Sequence, residues 1–253
     1  MAAENENSSD LERIHVRIAH SGLCSRRKAE ELILQGRVSV NGEQIKTVGV
    51  KVSPDDEVAV DGEVIRPPTR LLTVLMNKPK GIITTMRDPQ GRATITKFLP
   101  EMAAVVKPVG RLDKESEGLL LCTSDGELAH RLTHPRYGVE KEYMTVVTGI
   151  PDDKAINRLR KGVFIEGGKT APADVTVIHA EAKAGTTSLR IIIHEGRKRQ
   201  VRLMCEAVGH PVITLRRVRI GPLKIKGMHP GEVRLLGKKE VDELKKLVGL
   251  PVD

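Results

Sequence analysis

Apolar and polar positions follow two styles along this chain, and the change falls near residue 70. From Leu11 to Asp61 the apolar segments are short and closely punctuated. Arg13 to Gly22 predicts a short helix ending at a glycine. Ser25 caps a second helix that runs through Leu34 and stops at Gly36. Arg37 to Val40 predicts a strand, Asn41-Gly42 a tight turn, and Val48 to Val60 alternates like strand around the turn Pro54-Asp55-Asp56. Asp61-Gly62 turns the chain again, and Arg66-Pro67-Pro68-Thr69-Arg70 predicts a stiff linker. The polar, acidic stretch 1–10 predicts a disordered tail.

Beyond the linker, more continuous apolar runs alternate with longer polar loops. Leu71–Met76, Ile82–Thr85, Leu119–Cys122, Lys141–Thr148 and Leu189–His194 predict strands. Thr94–Leu99, Asp125–Thr133, Gln200–Val208 and Val241–Val248 predict helices, the third closed by Gly209. Strands and helices do not alternate regularly. The expected fold class is therefore α+β: a small N-terminal α/β module over residues 11–70, then a mixed, mainly antiparallel sheet domain over residues 71–253.

Composition narrows this picture. The 253 residues suit one or two domains, and 39% apolar residues suffice for a core. No apolar run approaches the ~18 residues of a membrane span, and residues 1–10 are the opposite of an export signal. Cys24, Cys122 and Cys205 are scattered and odd in number, which argues against a disulfide framework or a zinc site and for a reducing cytoplasm. The eight histidines show no metal spacing, since Pro135 ends the helix before His130 and His134 share a face. No metal or cofactor is expected.

Charge changes the picture most. The chain carries 42 Lys and Arg against 33 Asp and Glu, a net +9. Ten basic residues and only Glu195 and Glu206 lie between Arg190 and Lys226, so that window alone holds +8. This concentration points to a phosphate-rich partner, although a solvated basic face has the same composition.

Four constellations carry candidate chemistry. Gly110-Arg111-Leu112-Asp113-Lys114-Glu115-Ser116-Glu117-Gly118 is a polar loop before an apolar strand, able to hold one carboxylate at the end of a sheet. A salt-bridged surface turn accounts for the same residues. Lys141-Glu142-Tyr143 sets one of only two tyrosines in a strand, where it serves either as a core ring or as a platform for an extruded base. Glu195-Gly196-Arg197-Lys198-Arg199-Gln200-Val201-Arg202-Leu203 leads from a strand into a basic helix start, a ready phosphate site. In the first module Arg26, Arg27 and Lys28 at a helix start, with Arg37, are candidate grips for an RNA backbone. A chain with four aromatic residues (two Tyr, two Phe, no Trp) cannot read a long single strand by serial stacking; one ring for one base is what it has.

These motifs resemble a known family. Gly110-Arg111-Leu112-Asp113, with Gly118-Leu119-Leu120-Leu121-Cys122-Thr123 and Asp125-Gly126, is similar to the signature loop of ribosomal pseudouridine synthases, in the branch of the small-subunit synthase A and the large-subunit synthases B, E and F. Arg131-Leu132-Thr133-His134-Pro135 with Lys141-Glu142-Tyr143, and Glu195-Gly196-Arg197 with Gln200-Val201-Arg202, match the next motifs in order; Asn77-Lys78-Pro79-Lys80-Gly81 and Asp88-Pro89-Gln90-Gly91-Arg92 match as well, the latter leaning toward synthase B. Residues 11–61 resemble the S-four RNA-binding domain through Ser21-Gly22, Ser25-Arg26-Arg27-Lys28-Ala29, Gly36-Arg37-Val38 and Val40-Asn41-Gly42.

The resemblance implies isomerisation of a uridine in ribosomal RNA, of the large subunit, without metal or cofactor. It implies Asp113 as the catalytic carboxylate, Tyr143 stacked under the base, and Arg202 paired with Asp113 to keep it ionised. Leu203 would line the pocket, Arg111 would lie near the gap left by the flipped nucleotide, and Arg197, Lys198, Arg199 and Gln200 would bind substrate. Arg199 stands where relatives often carry His or another polar residue, which leaves its contacts open. The expected partner is ribosomal RNA or an assembly particle, met by a monomer. A non-catalytic RNA-binding or ribosome-assembly protein is the rival reading; a pure binder needs no carboxylate such as Asp113 among its basic residues.

Overall fold

The computed structural model describes residues 11–66, 71–103 and 105–252. The tail expected over 1–10 and most of the expected linker lie outside the described residues. The chain divides into two units, residues 1–71 and 72–253.

In the first unit, α1 (Ile14–His20) and α2 (Arg26–Leu34) form where expected. The Ser25 hydroxyl accepts the Lys28 amide at 3.2 Å, which satisfies one of the open N–H groups at the start of α2. Strands β1 (Val38–Val40), β2 (Glu43–Ile45), β3 (Val58–Val60) and β4 (Glu63–Val64) make a sheet in the order β2-β1-β3-β4. Asn41-Gly42 and Asp61-Gly62 take left-handed backbones at the two hairpin turns, as Asn-Gly and Asp-Gly favour. Ile14, Ile18, Leu32, Ile33, Val38, Val58 and Val60 form the core between helices and sheet.

The second unit is built on a nine-stranded sheet. Its main strands are β5 (Thr73–Lys78), β6 (Glu117–Thr123), β7 (Lys141–Thr148), β8 (Asp174–Glu181), β9 (Thr186–Ile193), β10 (Val212–Ile220) and β11 (Val233–Leu235). The order is β8-β9-β7-β10-β6-β5-β11, antiparallel throughout except between β10 and β6. Central strands β5 and β6 are buried on both faces, which is why they read as unbroken apolar runs. Val74, Met76, Leu120 and Cys122 join one core with α4 (Asp153–Lys161) and α5 (Gln200–Ala207); Leu75, Leu119 and Leu121 join another with α3 (Gly126–Thr133) and α6 (Lys238–Leu247). No helix among the described residues is long and apolar enough to cross a membrane.

Several expectations are corrected. Ile82–Thr85 is not a strand; it makes one isolated bridge, Ile83 with Thr94, in a loop, and Thr94–Leu99 contributes only a 3-10 turn. Four residues without a partner strand cannot satisfy their backbone as sheet. Strands β8, β10 and β11 and helix α4 had not been anticipated. The omission of β10 matters, because it lies at the centre of the sheet and its Arg216-Arg217-x-Arg219 run reads as solvated charge rather than strand.

Candidate active site

Among the described residues the sheet has a single parallel junction, and the site lies there. β10 and β6 pair only through Arg216 with Glu117 and Arg217 with Gly118. The close approach requires glycine: a Cβ on Gly118 would stand 2.2 Å from the Arg217 carbonyl oxygen, and its φ is +104°. A cleft of about 1050 Å³ opens at this junction, lined among others by Asp113, Tyr143, Arg217, Leu121, Ile193, Leu215 and Ile220.

Asp113 is half-buried in the loop that precedes β6. Its neighbours are tied down on every side. The Asp113 carbonyl accepts the Ser116 amide at 3.0 Å, and the Lys114 carbonyl accepts the Gly81 amide at 2.8 Å. Thr84 Oγ1 both donates to the Leu112 carbonyl (2.7 Å) and accepts its amide (3.2 Å). Lys78 Nζ, fully buried, donates to the carbonyls of Ser116 (2.8 Å) and Pro79 (2.9 Å). Burial pulls the Lys78 amine down to about 8, with the charge of Asp113 the largest influence opposing it. The carboxylate is thus carried on a loop that cannot easily drift.

Arg202 acts on this loop differently from the expected pairing. No ion pair joins it to Asp113; its Nη2 donates to the Glu115 carbonyl at 2.8 Å and the Ser116 hydroxyl at 3.4 Å. Asp113 remains within electrostatic range, since burial and Arg199 lower the Arg202 guanidinium while Asp113 and Glu115 oppose them. Arg202 therefore supports the loop on which Asp113 rides. Leu203 does not line the cleft. Gln200 and Val201 present themselves there instead, and the leucines that line it are Leu112, Leu121, Leu132 and Leu215. Residues one and two positions beyond Val201 are rotated away by the turn of the helix.

Tyr143 is 8% exposed, and its hydroxyl accepts Arg217 Nη1 at 3.5 Å. Lys141, two residues before it, also lines the cleft, and burial followed by Arg217 lowers its amine to about 8.

The basic helix start divides in two. Arg197 lines the cleft, but its guanidinium is spent on Glu195 (3.2 Å) and on the carbonyls of Gly168 (3.0 Å) and Lys169 (2.8 Å). Gln200 is buried and binds Glu195 at 2.7 Å and the Arg197 amide at 3.0 Å. Both residues build the wall rather than offer free groups. Lys198 and Arg199 are exposed on the rim, and Arg199, the helix N-cap, has a left-handed φ of 54°. Arg111 and Arg87 are exposed on the rim as well. Lining cations stand at nine positions (87, 92, 111, 114, 141, 197, 198, 199, 217) against carboxylates at two (88, 113), so the cleft carries a formal +7.

In the first unit Arg26 and Arg27 project from the start of α2 into solvent. Lys28 instead pairs with Glu31 at 2.8 Å, and Arg37 Nε donates to Asp61 at 2.7 Å. The latter pair raises the Arg37 guanidinium and lowers the Asp61 carboxyl. Two of the four anticipated RNA grips are thus already engaged by carboxylates.

This geometry joins a carboxylate, a ring and a basic rim in one cleft. The RNA pseudouridylate synthase family model matches residues 72–207, more than half of the chain. The chain belongs to the RNA pseudouridine synthase family. An S4 domain matches residues 12–58 of this synthase. It is 42% identical to the ribosomal large subunit pseudouridine synthase B of Bacillus subtilis, over 94% of this chain and 97% of that one. It is 44% identical to an RNA pseudouridine synthase of Aquifex aeolicus, over 94% and 95%. A crystal structure of a pseudouridylate synthase superposes with a TM-score of 0.67 at 29% identity, covering 92% of this synthase and 99% of that chain.

The family motifs did not mark Arg217 or Lys141 as site residues of this synthase. For Arg217 the only signal was the basic run itself, and nothing in its spacing says which arginine faces the cleft; Lys141 stood in the motif that carries Tyr143.

Proposed function

We propose that this synthase converts a uridine of large-subunit ribosomal RNA to pseudouridine, with Asp113 as the carboxylate that acts on the ribose of the target nucleotide. One observation carries the reading: Asp113 and Tyr143 open onto the same cleft, whose other charges are overwhelmingly basic. The rim cations take phosphates, and their contacts offset the few kcal/mol lost when a nucleotide leaves its stack. The uracil then lies on Tyr143 with its ribose toward Asp113. Uracil detaches, turns, and rejoins the ribose through a ring carbon. The rearrangement stays within one nucleotide and calls on no metal or cofactor. Arg202 holds the Asp113 loop through the Glu115 carbonyl. Arg26 and Arg27 of the first unit add backbone contacts, with Lys28 and Arg37 exchanging carboxylates for phosphates.

Similarity to the ribosomal large subunit pseudouridine synthase B of Bacillus subtilis supports the large-subunit target. We place the reaction in the cytoplasm, during ribosome assembly, carried out by a single copy of the chain on a domain pair bounded near residue 70.

The test is Asp113→Asn. The variant should fold, bind ribosomal RNA as the wild type does, and make no pseudouridine. Turnover near the wild-type level would remove Asp113 from the reaction. Pseudouridine mapping of ribosomal RNA from cells with and without the gene should lose a large-subunit site; loss confined to small-subunit RNA would move the target.

A further inference from the structure

Arg217 is a buried cation with no carboxylate partner among the described residues. It is 4% exposed, yet it lines the cleft beside Tyr143. Its Nε donates to the Leu119 carbonyl at 2.7 Å, where the β10–β6 ladder stops, and its Nη1 reaches the Tyr143 hydroxyl at 3.5 Å. Its Nη2 is buried and meets no acceptor. A donor left without an acceptor in the interior costs about 1–3 kcal/mol, and more when charged. A buried cation without a counter-charge is costlier still.

The backbone goes out of its way to put this side chain there. Along β7, Glu142 and Tyr143 face opposite sides of the sheet. Glu142 is opposite Arg219 and Tyr143 is opposite Arg217, so one extra residue, Val218, is accommodated by a bulge. Without it, Arg217 and Arg219 would share a face. With it, Arg219 bonds Glu142 (2.8 Å) and Glu140 (2.7 Å) on one side, while Arg217 turns to the ring of Tyr143 on the other.

The geometry points to Arg217 as a base-binding residue, whose guanidinium donates to a carbonyl oxygen of the flipped uracil. This rests on the proposed synthase reaction and deepens it. The cleft separates two environments. Its exposed rim holds Arg87, Arg111, Lys198 and Arg199, suited to phosphates, whereas its buried lining joins Arg217 with Tyr143, Ile193, Leu215 and Ile220, a setting for a flat base. A base read in such a setting is recognised by stacking and by hydrogen bonds to its edge. Uracil offers two carbonyl oxygens, and both gain negative charge as it detaches from ribose, where a fixed cation in a dry setting has its largest effect. Cytosine, with an amino group in place of one carbonyl, would present a donor to a donor at that position.

The test uses single turnover on large-subunit ribosomal RNA, with the full chain. Arg217→Met should lower the single-turnover rate about 100-fold, the usual loss of one such donor. Its RNA dissociation constant and salt dependence should stay within about twofold of wild type, because no phosphate contact is lost. Arg217→Lys, which keeps charge but not the planar fork, should not restore the rate. Wild-type enzyme on RNA carrying 2-thiouridine or 4-thiouridine at the target should slow with one of the two, a result that needs no variant to fold. The inference is overturned if Arg217→Met keeps the wild-type rate. It is equally overturned if that variant binds RNA more weakly with a shallower salt dependence, which marks a phosphate contact, or if neither thio substitution slows the wild type. Wild-type turnover of unmodified RNA in the same assay reports separately on the synthase reading.

Discussion

Lys78 shows how a single residue couples the site to stability. Its amine is fully buried and holds the Asp113 loop through two carbonyls. Its value falls from the ordinary 10.5 to about 8. Between those values the unfolded chain binds the proton and the folded chain does not, so this group's contribution to stability rises with pH over that window. The neutral amine still has two N–H donors for its two carbonyls. Urea unfolding at pH 7.5 and at pH 10 should therefore show wild type gaining on Lys78→Met as pH rises. A difference that does not change with pH would mean that Lys78 titrates as an exposed lysine. At this scale the residue types of the site were legible, but their partners were not. Asp113 and Tyr143 face the cleft, as the motif matches implied. Arg202 grips a carbonyl rather than the carboxylate, and Leu203 is not among the leucines that line the cleft.

At the scale of elements, short-range chemistry carried the expectations that held. The Ser25 cap, the Asn41-Gly42 turn, the ends of α3 and the eight residues of β7 depend on local donors, turn residues and alternation. What local pattern could not convey was β10, because its charged residues alternate only if the bulge at Val218 is known. The β10–β6 junction makes its own prediction. Gly118→Ala would force a methyl group into the Arg217 backbone at a φ that side chains avoid. We expect a loss of more than about 2 kcal/mol in urea unfolding, by these two causes together. Activity should fall with it, since Arg217 and the end of the Asp113 loop meet at this point.

At the scale of the whole molecule, the basic excess resolves into different tasks. In the window that holds most of the net charge, Arg197 and Arg219 bind protein acceptors, Arg202 holds a loop, Arg217 lies buried, and Lys198 and Arg199 remain free on the rim. Of the residues that line the cleft in this window, the last two are the exposed ones, placed to release counterions from RNA. Replacing both with alanine should weaken RNA binding and reduce the slope of log affinity against log salt by about 1.4 to 1.8. Arg197→Ala should instead lower stability, because its guanidinium bonds the wall of the cleft. An unchanged slope in the double variant would place the phosphate path elsewhere.

The sequence by itself determined the mixed, mainly antiparallel architecture, the family and two of the residues that line the cleft, Asp113 and Tyr143. Each of these is written in local pattern or in short, ordered motifs. The tertiary structure decided which charges are free and which are consumed, and it turned Arg217 to the cleft face. The physical reason is that facing direction in a sheet changes with every inserted residue, and a bulge is defined by the partner strand rather than by the strand that carries it.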